Sequence, residues 1–117
     1  LEQDKQLLLR YSTLDELKRG KERKLAEIDS KIKMLQANIS SLQQQIDYEQ
    51  KQAANFERSG RPVPPAMVAK LQGLRQEMKV SESQKISREQ ELAVETSRFD
   101  KEIERYIYLD QKRGKHH

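Results

Sequence analysis

The chain has 117 residues, of which 36% are charged and 34% hydrophobic, and its formal net charge is +4. This length allows one domain at most, and the apolar share is low for an ordinary globular core. Because there is no cysteine, disulfides and Cys-based zinc sites are excluded, and no apolar run is long enough to span a membrane. The composition fits either a disordered chain or long helices with a narrow apolar seam.

The first predicted element is a short helical lead over residues 1–12, which contains Leu7–Leu9. The sequence starts at Leu1 without a methionine, which favours a fragment or a processed form. Thr13 and Glu16 then have the spacing of a capping box, in which each side chain accepts a hydrogen bond from a free backbone N–H at a helix start. Helix 1 is therefore predicted over residues 13–57.

The apolar residues of helix 1 recur in alternating steps of three and four positions. This heptad pattern is typical of a coiled-coil seam and has no reason to persist in a disordered chain. Glu49 is the one charged residue that interrupts it from position 25 onward. The predicted seam residues of helix 1 are Leu25, Ile28, Ile32, Leu35, Ile39, Leu42, Ile46 and Phe56.

A break follows at residues 58–63, close to all three prolines of the chain and to Gly60. It could be a linker between domains, a Pro-x-x-Pro ligand or the turn of a hairpin. We favour the turn, because Gly60 can take a positive φ after a helix and Pro62 cannot continue one. Pro64 and Pro65 suit the first turn of a following helix.

Helix 2 is predicted over residues 64–113, and Gly114 begins a flexible tail over residues 114–117. We read its seam with an irregular step from Met78 to Glu82, followed by Lys85 and Glu89. The apolar members of this seam are Leu71, Leu74, Met78, Leu92, Phe99 and Ile103.

Folding the chain about residues 60–61 pairs these two seams, and the two helices come out at about the same length. The sequence therefore predicts an all-α fold, a long antiparallel coiled-coil hairpin. Ile32, Leu35 and Ile39 would then face Glu82, Lys85 and Glu89, which cover apolar side chains poorly. We expect a second copy to cover them, so that helix 1 of each hairpin lies at the centre of a four-helix homodimer. Parts of the native protein outside this sequence are the other possible cover.

No catalytic residue, cofactor or metal site is predicted. His116 and His117 stand at the extreme end and fit a tag remnant or a tail better than a metal site. The many carboxylates are expected to pair with Lys or Arg three or four positions away on solvated faces.

Two surfaces are predicted as possible partner contacts. One is the open end of the hairpin, where Lys18, Arg19 and Lys21 would meet the basic residues of 98–105 near tyrosines. It could bind nucleic acid, but acidic residues are interspersed there, so we favour a solvated collar of mixed charge and do not expect nucleic acid as a partner. The other is the turn, with Arg58 and Arg61.

Three stretches, LLLRYSTLDELKRGKERKLAEID, FERSGRPVP and RFDKEIERYIYL, resemble the C-terminal coiled-coil region of uncharacterised proteobacterial envelope proteins. Those proteins carry a small N-terminal domain of unknown function after a secretion signal. The resemblance implies a periplasmic setting, and without it we would expect a cytoplasmic one. The function expected is a non-enzymatic structural or protein-interaction module, and the alternative is a nucleic-acid-binding helical arm.

Overall fold

The computed structural model of the chain describes residues 1–114, and this part is all-α, as predicted. It contains α1 (Glu2–Arg10), α2 (Leu14–Arg58) and α3 (Pro65–Gly114). Gly114 is the last residue of α3, whereas the rest of the predicted tail, including His116 and His117, lies outside the described residues. None of these helices is apolar enough over a sufficient length to cross a membrane.

The start of α2 is fixed by two hydrogen bonds to side chains. The backbone N–H of Glu16 donates to Thr13 Oγ1 at 3.1 Å, and Glu16 Oε2 accepts from the backbone N–H of Ser12 at 2.9 Å. In a standard capping box the Glu16 side chain would accept from the N–H of Thr13, whereas here it accepts from the N–H of Ser12. Both bonds satisfy donors that would otherwise have no partner at a helix start.

The end of α2 is closed by a Schellman motif. Gly60 has a φ of +70°, a conformation that residues with a Cβ rarely adopt. Its N–H donates to the carbonyl of Glu57 at 3.1 Å, and the N–H of Arg61 donates to the carbonyl of Phe56 at 3.0 Å. The Arg61 guanidinium also lies over the Phe56 ring, 4.8 Å from its centroid. The turn is therefore held by specific bonds on its α2 side.

The chain divides into two compact units, which we describe separately. The turn unit comprises residues 31–88, and the terminal unit comprises residues 1–30 with the described residues from 89 onward. The core of the turn unit is one cluster of buried apolar side chains, with Ile39 and Ala53 packed against it. The members of this cluster are Leu42, Ile46, Leu71, Leu74 and Met78.

The core of the terminal unit joins all three helices. Leu7 of α1, Leu17 of α2, and Phe99 and Tyr106 of α3 form one buried cluster. The hydroxyl of Tyr106 donates to the backbone carbonyl of Tyr11, which follows α1, at 3.0 Å. The predicted helical lead is thus a helix that packs onto α2 and α3 through Leu7.

The predicted seam of helix 2 is wrong in its middle. Ser81 is buried and Glu82 is exposed, while Arg88 is half-buried and Glu89 is exposed. Positions 78, 81, 85 and 88 of the turn unit therefore keep regular steps of three and four on the packed face. Hydrophobicity could not indicate this register, because a serine, a lysine and an arginine occupy it.

Candidate functional site

Two polar contacts join α2 and α3 within the turn unit. Lys70 Nζ lies 2.9 Å from Glu49 Oε1, and Asn38 Nδ2 donates to Ser81 Oγ at 2.7 Å. Asn38 lies eleven positions before Glu49 in α2, and its partner Ser81 lies eleven positions after Lys70 in α3. Residue numbers thus fall along α2 while those of their contact partners rise along α3.

The predicted seam residues of the turn unit differ in their burial. Near the turn they are closely packed, since the exposed fraction is 3% for Leu42 and 8% for Met78. Farther from the turn they are only half-buried, and Phe56 beside the turn is half-buried as well. The half-buried stretch contains Ile32, Leu35 and Ile39.

A groove of about 540 Å³ lies along this half-buried stretch, and we call it the seam groove. Met34, which is 67% exposed, and Leu35 supply its apolar lining. Ser81, Lys85 and Arg88, which occupy the packed face of α3 here, offer little apolar cover. The other residues that line the groove are Lys31, Ser83, Gln84, Ser87 and Arg88.

A second groove, of about 380 Å³, lies beside the turn, and we call it the turn groove. Most of its lining is apolar and comes from α2, the turn and the start of α3, namely Ala53, Ala54, Val63, Val68 and Leu71. Its polar lining is Gln50, Glu57, Gln72 and Arg75. Sequence reasoning missed this groove, although the change of the seam from Ile46 to Ala53 was a usable signal.

The net positive charge of the described residues lies in the turn unit. Residues 31–88 carry ten Lys and Arg against five Asp and Glu, a formal charge of +5. The described residues of the terminal unit, 1–30 and 89–114, carry twelve against fourteen, a formal charge of −2.

Several cations of the possible partner contact at the predicted open end are engaged by carboxylates. Lys21 Nζ lies 2.6 Å from Asp100 Oδ1, whereas Lys18 and Arg19 are exposed. Arg105 contacts both carboxylate oxygens of Asp4, at 2.9 and 2.8 Å. That hydrogen bonding holds the pKa of Asp4 below its ordinary value and raises the pKa of the arginine.

Arg98 has a similar environment. Burial lowers its pKa, but hydrogen bonds and charges from Glu95 and Glu102 outweigh burial, so that the pKa is raised. The guanidinium also lies over the Phe99 ring, 4.2 Å from its centroid. Glu102 contacts Arg10 as well, at 3.6 Å. The contact of Arg10 with Glu102 joins α1 to α3, whereas the pairs of Arg98 lie within α3. All of these pairs leave less free positive charge for an external anion.

The remaining predicted seam residues lie in the terminal unit. Ile28 and Phe99 are buried, with exposed fractions of 1% and 3%, whereas Leu25, Leu92 and Ile103 are half-buried. Ile103 packs against the cluster around Leu17. Within residues 1–114 there is no group of three or more His, Asp or Glu side chains that could hold a metal ion.

No protein-family model, curated protein or solved structure matches the chain. The resemblance to proteobacterial envelope proteins stays a prediction, and function has to be argued from the chain's own residues.

Proposed function

We propose that the chain is a non-enzymatic structural and protein-interaction module, built as an antiparallel coiled-coil hairpin. The observation that carries this proposal is the pair of contacts Glu49–Lys70 and Asn38–Ser81, whose partner positions run in opposite directions. Only six residues separate α2 from α3, a length suited to antiparallel neighbours. The regular steps of the packed face of α3 through Ser81 also support a coiled-coil seam.

We further propose that the module forms a homodimer through the half-buried stretch of α2 and the seam groove beside it. Burying an apolar side chain such as Ile32, Leu35 or Ile39 completely contributes about 1.5–3 kcal/mol relative to leaving it exposed. Because all three are half-buried in the single chain, part of that stabilisation is still to be gained. A second copy that presents the same stretch supplies the missing apolar surface.

The setting we propose is a bacterial envelope protein, with the module in the periplasm. This part of the proposal depends on the three stretches of sequence quoted above. Fractionation of cells that express the full-length reading frame tests it, since recovery in the cytoplasmic fraction would contradict the periplasmic setting.

The hairpin can be tested by crosslinking, because the chain has no cysteine of its own. A short bis-maleimide reagent should join the two thiols of an Asn38→Cys/Ser81→Cys variant within one chain. The matched control pairs Asn38→Cys with Gln72→Cys, nine positions or about 13 Å farther along α3. Equal crosslinking of both pairs would contradict the hairpin.

The dimer is tested by size-exclusion chromatography with light scattering. We expect a mass of twice 13.8 kDa for the natural sequence and the monomer mass for Ile39→Asp, which places a charge on the half-buried stretch of α2. Gln44→Asp introduces the same charge at an exposed position of α2 and should stay dimeric. A monomer at tens of micromolar would remove the dimer from the proposal and leave the hairpin untouched.

The alternative function, a nucleic-acid-binding arm, has less support. The terminal unit has a formal charge of −2 over its described residues, and Lys21, Arg98 and Arg105 are paired with carboxylates. Binding of RNA or DNA that weakens steeply with salt and drops when Lys18 and Arg19 are neutralised would revive it.

A further inference from the structure

We infer that the turn groove binds a segment of a partner protein that inserts one apolar side chain and carries Asp or Glu on either side of it. This inference rests on the proposed interaction function and names the surface and the chemistry of the partner. It does not depend on the homodimer, because the turn groove and the seam groove share no lining residue.

The shape of the turn groove comes from small residues. Ala53 lies on the packed face of α2, where positions 42 and 46 have Leu and Ile, and Ala54 lies beside it. Val63, Val68 and Leu71 form the opposite side. The volume of about 380 Å³ is near the lower end of the range for ligand pockets, about 300–1,000 Å³. Such a groove suits one large apolar side chain and its neighbours.

The groove is preorganised by the turn beside it. Gly60 and Arg61 close the Schellman motif, and Ser59 Oγ donates to the Phe56 carbonyl at 3.0 Å and accepts from Arg61 Nε at 3.0 Å. Val63 is therefore held on a bonded turn. Binding to an ordered surface loses less conformational entropy, which favours affinity. These contacts also assign Arg61 to the turn itself, because its guanidinium is already stacked and bonded.

The charge around the groove favours an acidic partner. Residues 50–76 carry five cations, among them Arg58 and Arg75, and a single anion, Glu57. Lys70 is paired with Glu49, but no ion pair of the described residues neutralises Lys51, Arg58 or Arg75. Arg75 lines the groove directly, as does Glu57, the one anion of this stretch. Carboxylates beside the inserted side chain would be attracted by these cations at short range.

The same charges disfavour a second copy as the occupant. The turn unit carries +5, so that two turn grooves facing each other would bring like charges together. An anionic membrane surface meets the charge requirement but not the shape, because the apolar lining lies in a groove rather than on a projecting surface. A protein segment satisfies both.

The test uses the full chain and three fluorescein-labelled peptides. The first has a central Phe flanked by Glu, the second has Lys in place of every Glu, and the third has Gly in place of Phe. We expect anisotropy to report binding of the first peptide only, in the micromolar to millimolar range, about −8 to −4 kcal/mol. Amide shifts in a ¹⁵N spectrum should be confined to residues 50–57 and 63–75.

Two variants connect this binding to the groove. Ala54→Leu fills the groove and Arg75→Glu reverses the charge of its lining, and each should weaken binding of the first peptide at least tenfold. The matched controls are Ala37→Leu and Arg19→Glu, which make the same changes at exposed positions outside the groove and should bind normally. Circular dichroism of each variant verifies that the helices are retained.

Three results would overturn the inference. They are equal binding of the Glu and Lys peptides, undiminished binding to both Ala54→Leu and Arg75→Glu, and binding to anionic phosphatidylglycerol vesicles without binding of the first peptide. None of them alters the mass measured for the natural sequence or for Ile39→Asp. Failure of this inference is thus distinguishable from failure of the proposed function.

Discussion

Glu49 and Lys70 form an ion pair whose two members should respond oppositely to substitution. Glu49 is 7% exposed and lies on the packed face of α2, whereas the Lys70 side chain is 59% exposed. Replacing a buried ion pair by an apolar residue is often neutral or stabilising, while removing only the partner leaves a buried charge uncompensated. We therefore expect Glu49→Leu to raise stability and Lys70→Ala to lower it.

The magnitudes follow from these exposures. A leucine buried to the same extent contributes about 2 kcal/mol by transfer from water, and the lost pair with a half-exposed lysine costs at most about 1 kcal/mol. The net gain for Glu49→Leu is about 1–2 kcal/mol, or roughly 4–8 °C in Tm for a domain of this size. Lys70→Ala leaves the carboxylate buried without its partner and should cost about 1–3 kcal/mol.

Thermal and urea unfolding followed by circular dichroism at one fixed protein concentration measures both effects, since self-association would otherwise change the apparent stability. The control is Glu77→Leu at an exposed position of α3, which should stay within about 0.5 kcal/mol of the natural sequence. A loss of stability in Glu49→Leu, or no change in Lys70→Ala, would refute the reasoning.

Three further predictions concern the turn and α1. Gly60→Ala should lower stability by about 1–2 kcal/mol because φ is +70°. Gly73→Ala, in a helix with nothing within 4 Å of the added Cβ, should raise stability by about 1 kcal/mol. Urea unfolding measures both changes, and effects of equal sign would contradict the prediction. Tyr106→Phe removes the hydrogen bond to the backbone after α1 and should cost about 0.5–1.5 kcal/mol. Faster amide exchange in α1 detects it, and unchanged exchange would refute it. Arg105 depresses the folded-state pKa of Asp4. The contribution of this ion pair to the stability of the fold is therefore complete above the unfolded pKa of about 4 and is lost as pH falls through the lower folded-state value. An NMR titration should place that pKa below the one measured in Arg105→Ala, and equal values would exclude the pair.

The sequence predicted the all-α class because the apolar residues of α2 keep heptad spacing over most of its length. It predicted the middle of α3 poorly for a physical reason. Ser81 is small enough to be buried while it accepts a hydrogen bond from Asn38, so the packed face continues without an apolar residue there. Neither Ser81 nor Glu82 is apolar, so hydropathy could not decide between them. Regular spacing, followed through polar residues, would have found Ser81.

The docking of α1 was equally hidden from the sequence. Leu7, Leu8 and Leu9 are consecutive, so their pattern could not indicate which one is buried, and the structure buries Leu7 while Leu9 is 80% exposed. The pairing of Asp4 with Arg105 joins residues 101 positions apart, a separation for which a single sequence carries no signal. The turn groove was missed because it is formed where Ala53 and Ala54 replace larger side chains, and a small residue in a seam was not read as a sign of a groove.

The bonded turn at Gly60 has a consequence for the order in which the chain folds. The Asn38–Ser81 contact closes a segment of 43 residues, the Lys21–Asp100 contact 79 and the Asp4–Arg105 contact 101. Loop closure costs more entropy as the segment lengthens, by about 0.6 kcal/mol per doubling. Contacts near the turn therefore lose the least entropy on closure, and once they form they shorten the loop that the next contact has to close. We expect ordering to start beside Gly60 and to reach α1 last, so that substitutions at the turn change the folding rate and substitutions in α1 change mainly the unfolding rate.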